Sequence, residues 1–241
     1  MSTSNSAEDI AKTFGMEAVP ESVKRLTQMI AGRGASIEEF GKFIAQDKEL
    51  TARLLKFANP RAVDQFDYNI TTVDGALQRT GMSIALLLAM GDPLVRGVLK
   101  TFKTMLDINL ELMPVSSPFQ EAHILGEVSF SGKANGKVQL RLTKASVPVI
   151  GERLLGMAPE DLADPAMAAD VIGELCNMVA GNFKSNLCDA GLNCVLQPPK
   201  ITITDDFKLQ SVDGGNSERH PFRSPELPLF VDLGVNPWAG E

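Results

Sequence analysis

The sequence predicts an α+β protein, with an all-helical front followed by a second half in which strands and helices alternate. Three observations carry this. Up to Thr80, apolar residues repeat at helical spacing between recognisable start and stop signals. Two runs, 126–132 and 135–142, alternate in polarity and are joined by a Gly- and Asn-bearing turn, as in a hairpin. After them stands one long amphipathic stretch, 170–184, with sharply different faces.

The front reads as follows. Pro20-Glu21-Ser22 opens a helix on Val23, Leu26, Met29 and Ile30, which Gly32-Arg33-Gly34 ends. Ser36-Ile37-Glu38-Glu39 has the form of a capping box, Ser36 accepting backbone N–H bonds and Glu39 reaching back. Further helices are expected over Glu49 to Ala58, before Pro60, and over Val73 to Thr80, stopped by Gly81. In the second half the hairpin is followed by helically spaced Val147, Ile150, Leu154 and Leu155, with Gly156 as the stop. Asp164-Pro165 starts the long helix. Leu192 to Leu196, Lys200 to Thr204 and Leu229 to Leu233 are strand candidates, and Asp213 to Arg219 has the composition of an exposed loop. The expected division is a helical unit over residues 14–91 and an α+β unit over 92–235.

Composition narrows the function classes. The 241 residues can form one large or two ordinary domains, and 44% hydrophobic content is that of a globular protein. A net charge of -7 opposes a nucleic-acid partner, which needs a basic surface to displace phosphate counterions. No uncharged apolar run approaches the roughly 20 residues of a membrane span, and Met1 to Asp9 is polar, unlike a signal peptide. The expected place is the cytoplasm, with no membrane contact. Cys176, Cys188 and Cys194 cannot all pair with one another and lack metal-type spacing with either histidine, so neither a disulfide framework nor a structural zinc is expected. His123 stands beside Glu121 with no nucleophile or second ligand nearby, and the Gly132 to Gly136 loop is followed by no helix, so it lacks the geometry that cradles phosphate. Asp161, Asp164 and Asp170 lack the spacing of a calcium loop.

The long helix carries the functional signal. Asp170, Glu174, Asn177, Gly181 and Lys184 recur at three- and four-residue steps and share one face, while Val171, Leu175, Met178, Val179 and Phe183 fall on the other. The apolar face is expected to bury against a sheet, leaving the polar face free for a partner.

Gly173-Glu174-Leu175-Cys176-Asn177-Met178-Val179-Ala180-Gly181-Asn182, with Asp170 ahead of it and Pro198-Pro199 behind, resembles the site helix of the CheC/CheX/FliY family of chemotaxis phosphatases. Phe102 to Leu106 is similar to the end of that family's first helix, and Leu154-Leu155-Gly156-Met157 to another of its segments. The resemblance implies helices packed on an antiparallel sheet. It also implies an enzyme that hydrolyses the aspartyl phosphate of a response-regulator receiver. Catalysis then falls to Glu174 and Asn177, and partner contact to Asp170, Gly181 and Lys184. No cofactor or metal of its own is implied, the Mg²⁺ being the receiver's. One Glu-x-x-Asn is visible, as in the one-site CheX type. The alternative is a non-catalytic receiver-binding adaptor or dimerisation scaffold.

The front carries a second resemblance. Val19-Pro20, Ile44 to Asn59, Ile70 to Leu77 and Gly81-Met82 resemble the opening part of an HDOD domain, a helical signalling module. No histidine precedes His123, which opposes hydrolytic metal chemistry there. A partial domain must cover Leu54, Leu55, Phe57, Leu86, Leu87 and Leu88, and packing against the second unit or a second copy would do so. Self-association as a homodimer is the expectation.

Overall fold

The computed structural model describes residues 21–31, 36–59, 69–114, 123–203, 218–225, 227 and 230–237. The front holds α1 (Glu21–Ala31), α2 (Ile37–Ile44), α3 (Lys48–Ala58), α4 (Val73–Thr80) and α5 (Met82–Ala89), and α6 (Gly91–Leu106) leads out of it. The capping box is present, with Glu39 N–H donating to Ser36 Oγ at 3.1 Å and Ser36 N–H to Glu39 Oε2 at 3.4 Å. Asp47 Oδ1 caps α3 by accepting from Glu49 and Leu50 N–H, both at 3.0 Å. Gly81, at φ 85, lets the chain leave α4 and enter α5 without a break.

The apolar run in α5 is covered from within the chain. Leu54, Leu86, Leu87 and Leu88 are buried, and Leu55 and Phe57 pack on the same core, so the expectation that a second copy covers them is corrected. The residues 32–34, expected to end α1, lie outside the described residues.

The second half holds β1 (Glu111–Leu112), β2 (Ile124–Gly132), β3 (Gly136–Leu142), α7 (Ser146–Leu155), a 3-10 turn (Asp161–Ala163), α8 (Pro165–Asp189), β4 (Cys194–Leu196), β5 (Lys200–Ile203), β6 (Glu218–Arg223) and β7 (Phe230–Pro237). Every pairing is antiparallel, in the order β1-β6-β7-β3-β2-β4, with β5 on the same edge of β2 as β4. The loop expected over Asp213 to Arg219 is corrected at its end, because Glu218 and Arg219 belong to β6, paired with Val235 and Gly234. Residues 213–217 lie outside the described residues.

Alternation along β2 decides where the helices sit. Ile124, Gly126, Val128 and Phe130 are buried, and Phe130 meets Phe183 of α8 edge-on, 5.6 Å between ring centroids. On the opposite face Glu127, Gln139 and Arg141 form a polar chain. Arg141 Nη2 donates to Gln139 Oε1 at 2.9 Å, Gln139 Nε2 donates to Glu127 Oε2 at 2.8 Å, and Lys137 Nζ pairs with Glu127 Oε1 at 2.9 Å. Helices are thus packed on an antiparallel sheet.

Candidate functional site

The site is the outward face of α8. Asp164 caps the helix through Ala166 N–H at 2.9 Å and Pro165 occupies the first turn, where its missing N–H costs nothing. Val171, Ile172, Leu175, Cys176, Val179, Ala180 and Phe183 are buried, which turns the opposite face to solvent. Asp170, Glu174 and Asn177 are exposed there. Among the described residues neither the Glu174 carboxylate nor the Asn177 amide has a hydrogen-bond partner, so both are available to another molecule.

The remaining stripe residues sit lower. Gly181 is half-buried, and a Cβ added there would meet nothing within 4 Å, so its backbone stands open beside Asn177. Lys184 is also half-buried. Burial and the neighbouring Cys188 push the Cys194 thiol up, and the Lys184 charge opposes them.

Two packing devices hold the helix. A Cβ at Gly126 of β2 would overlap the Cys176 Sγ, so glycine lets α8 lie close on the sheet. Burial pushes the Cys176 thiol up to about 12, which leaves it a neutral packing group. On the other flank Asn182 Nδ2 donates to the buried Thr101 Oγ1 of α6 at 2.6 Å. Sequence reasoning gave Asn182 no role, and its signal is positional, since it follows Gly181 directly on the α6 side of the stripe.

Pro198-Pro199 borders the site. β4 and β5 follow one edge of β2 in succession, and the proline pair separates them, because proline has no N–H for the ladder. Gly173 of α8 faces this break, a Cβ there lying 3.8 Å from Pro199 Cγ.

Asp170, Glu174 and Asn177 stand on an open helix face. A cavity of about 350 Å³ lies in the front instead, lined in part by Phe43, Gln46, Arg53 and Arg96, and no stripe residue lines it. Among the described residues no group of three His, Cys, Asp or Glu side chains could hold a metal, and no helix is long and apolar enough to cross a membrane.

An exposed Glu-x-x-Asn, unpartnered among the described residues, thus stands on a helix laid across an antiparallel sheet. Residues 124–223 match the family model of the chemotaxis phosphatase CheX, and residues 16–110 match that of the HDOD domain. The second half is thus a CheX-like domain and the front a partial HDOD-like helical region. Three solved structures share the fold. The chemotaxis protein CheX of Vibrio vulnificus is 19% identical with a TM-score of 0.51, over 61% of this chain and 96% of its own. A CheC-like superfamily protein from Shewanella sp. PV-4 is 22% identical with a TM-score of 0.50, over 60% and 96%. A CheX–CheY–BeF3–Mg²⁺ complex from Borrelia burgdorferi is 19% identical with a TM-score of 0.53, over 61% and 97%. No curated protein matches the chain.

Proposed function

We propose that the CheX-like domain hydrolyses the aspartyl phosphate of a response-regulator receiver. The observation that carries this reading is the exposed, unpartnered Glu174–Asn177 pair on one turn of a rigidly packed helix. The receiver brings the acyl phosphate and its Mg²⁺. Asn177 then has one task, to hold a water in line with phosphorus; its amide both donates and accepts and does not titrate. Water oxygen bonds to phosphorus, the bond from phosphorus to the aspartyl oxygen breaks, and the receiver's carboxylate and inorganic phosphate leave. Glu174, a turn earlier, pairs with a lysine of the receiver site and fixes the register. Asp170, Gly181 and Lys184 lie along the same contact. The similar fold of the Borrelia protein, whose structure is a complex with CheY, supports a receiver as partner. The reaction belongs in the cytoplasm, where receivers are phosphorylated.

The test is to charge a panel of receivers with a small-molecule phosphodonor and follow phosphate release with and without the protein. Faster release from at least one receiver is expected. Binding to phosphorylated receivers without faster release would establish the adaptor reading instead.

A further inference from the structure

We propose that Met105, Met167 and Met178 form an apolar rim that seats the phosphorylated receiver over Glu174 and Asn177 and sets docking strength separately from chemistry. The inference rests on the receiver reading above. The placement of Met105 follows from the seam between α6 and α8. Thr101 is bonded to Asn182, and a Cβ at Gly97 would lie 3.9 Å from Asn186 Nδ2, so the two helices run antiparallel. One further turn along each brings Met105 to the level of Met178, beside Asn177.

Met105 lies on the side of α6 that carries the buried Val98, Thr101 and Phe102, yet it is 56% exposed. An apolar side chain on an inward-turned face that stays open to water is a gap in the cover of the seam. Met167 is 38% exposed and lies two turns before Glu174 on the same face of α8, while Met178 is half-buried at the stripe's edge. Among the described residues the two exposed methionines are these two.

The geometry of the reaction selects the occupant. A phosphoryl group within hydrogen-bond reach of Asn177 brings the receiver surface around it down over the adjacent Met178, Gly181 one turn on and Asp170 two turns back, with Met167 at the outer edge nearly three turns back. The polar centre fixes register, and flexible thioethers at the rim bury apolar area against surfaces of differing shape.

The experiment uses the full chain carrying Met105→Gln and Met167→Gln, singly and together, with Met105→Leu as an apolar control. Affinity is measured by calorimetry against receivers charged with beryllofluoride and Mg²⁺, and turnover by phosphate release. The double variant should bind at least tenfold more weakly and raise KM by a similar factor, with kcat within twofold and the Tm of the parent; Met105→Leu should bind as the parent does. Unchanged affinity and KM in a folded double variant, or lost kcat at unchanged KM, overturns the rim while the phosphatase reading stands. A parent protein that neither binds nor dephosphorylates any receiver removes that reading and the rim with it. Dissociation of a parent dimer in the double variant, seen by sedimentation, would assign the rim to a second copy and overturn the proposal.

Discussion

Asn182 Nδ2 donates to Thr101 Oγ1 at 2.6 Å, and Thr101 Oγ1 donates onward to the Gly97 carbonyl at 2.8 Å. The hydroxyl is thus both acceptor and donor at the seam, where Thr101 is buried and Asn182, five residues beyond Asn177, is exposed. Thr101→Val keeps the shape and removes both bonds, leaving the Asn182 amide unmatched. It should lower unfolding stability by about 1–2 kcal/mol in denaturant titrations. Asn182→Ala should cost a similar amount, and the double variant little more than either alone. Additive losses would show that the two side chains do not act as a pair.

Asn177 and Glu174 should fail in different ways. Asn177→Ala is expected to slow receiver dephosphorylation by roughly a hundredfold or more with Tm unchanged, because an exposed group that positions the transition state contributes nothing to packing. Glu174→Gln should weaken binding and activity together without displacing a pH optimum. Equal phosphate-release rates for Asn177→Ala and parent would sink the mechanism, and unchanged affinity with lost turnover in Glu174→Gln would assign that carboxylate general-base work.

Local signals made the front helices, the hairpin and the stripe legible. The Ser36–Glu39 box, the Asp164-Pro165 start and the Gly156 stop at φ 65 act within a few residues, so sequence contains them whole. Where the apolar pattern is continuous or the pairing distant, reading stopped. Met82–Ala89 is apolar on all sides and shows no period to recognise. In β6, Glu218-Arg219-His220-Pro221 has poor strand propensity, and distant pairing with β7, and with β1 at its end, makes it a strand. The site divides in the same way. Spacing alone gave the exposed stripe, while its bond to Thr101 spans 81 residues and its seat on Gly126 depends on tertiary contact.

Gly126 supports the site from below. Gly126→Ala places a methyl against Cys176 Sγ, whose helical rotamers leave few escapes, and against Ile201 Cδ1 at 3.3 Å. A loss of about 1–3 kcal/mol is expected. Adding Cys176→Ala should recover much of it by removing the sulfur. A double variant no more stable than Gly126→Ala would mean that the clash lies with Ile201 instead.

Glu127 gives the fold a pH dependence of known sign. Burial raises its pKa, but hydrogen bonds from Gln139 and Lys137 and the charges of Lys137 and Lys200 outweigh that, and the carboxyl lies below its ordinary 4.5. A depressed folded-state value means that the contribution is present above the unfolded value and lost as pH falls through the folded one. Parent and Glu127→Gln should therefore differ in unfolding free energy at pH 7 and converge at acid pH, once pH has fallen through the lowered folded-state value. A constant difference between the two pH values would show that the charge of Glu127 contributes no stability.

The HDOD match reaching residue 110 assigns α6 to the front, whereas its packing joins it to the site. Val98, Phe102 and Leu106 are buried, and Thr101 bonds the site helix. We propose that the functional division falls at the start of α6, between residues 91 and 92. A fragment of residues 92–241 should keep the circular dichroism of a folded α+β domain and most of the phosphate-release rate. It should be less stable than the full chain, because α1 no longer packs at the end of α8, where Thr27 Cγ2 would lie 2.8 Å from a Cβ at Gly191. A fragment of residues 111–241 should lose both structure and activity, since the seam side of α8 is stripped and Asn182 is left without Thr101. If that shorter fragment folds and turns over as well as the longer one, α6 belongs to the front and the division at 91 is wrong.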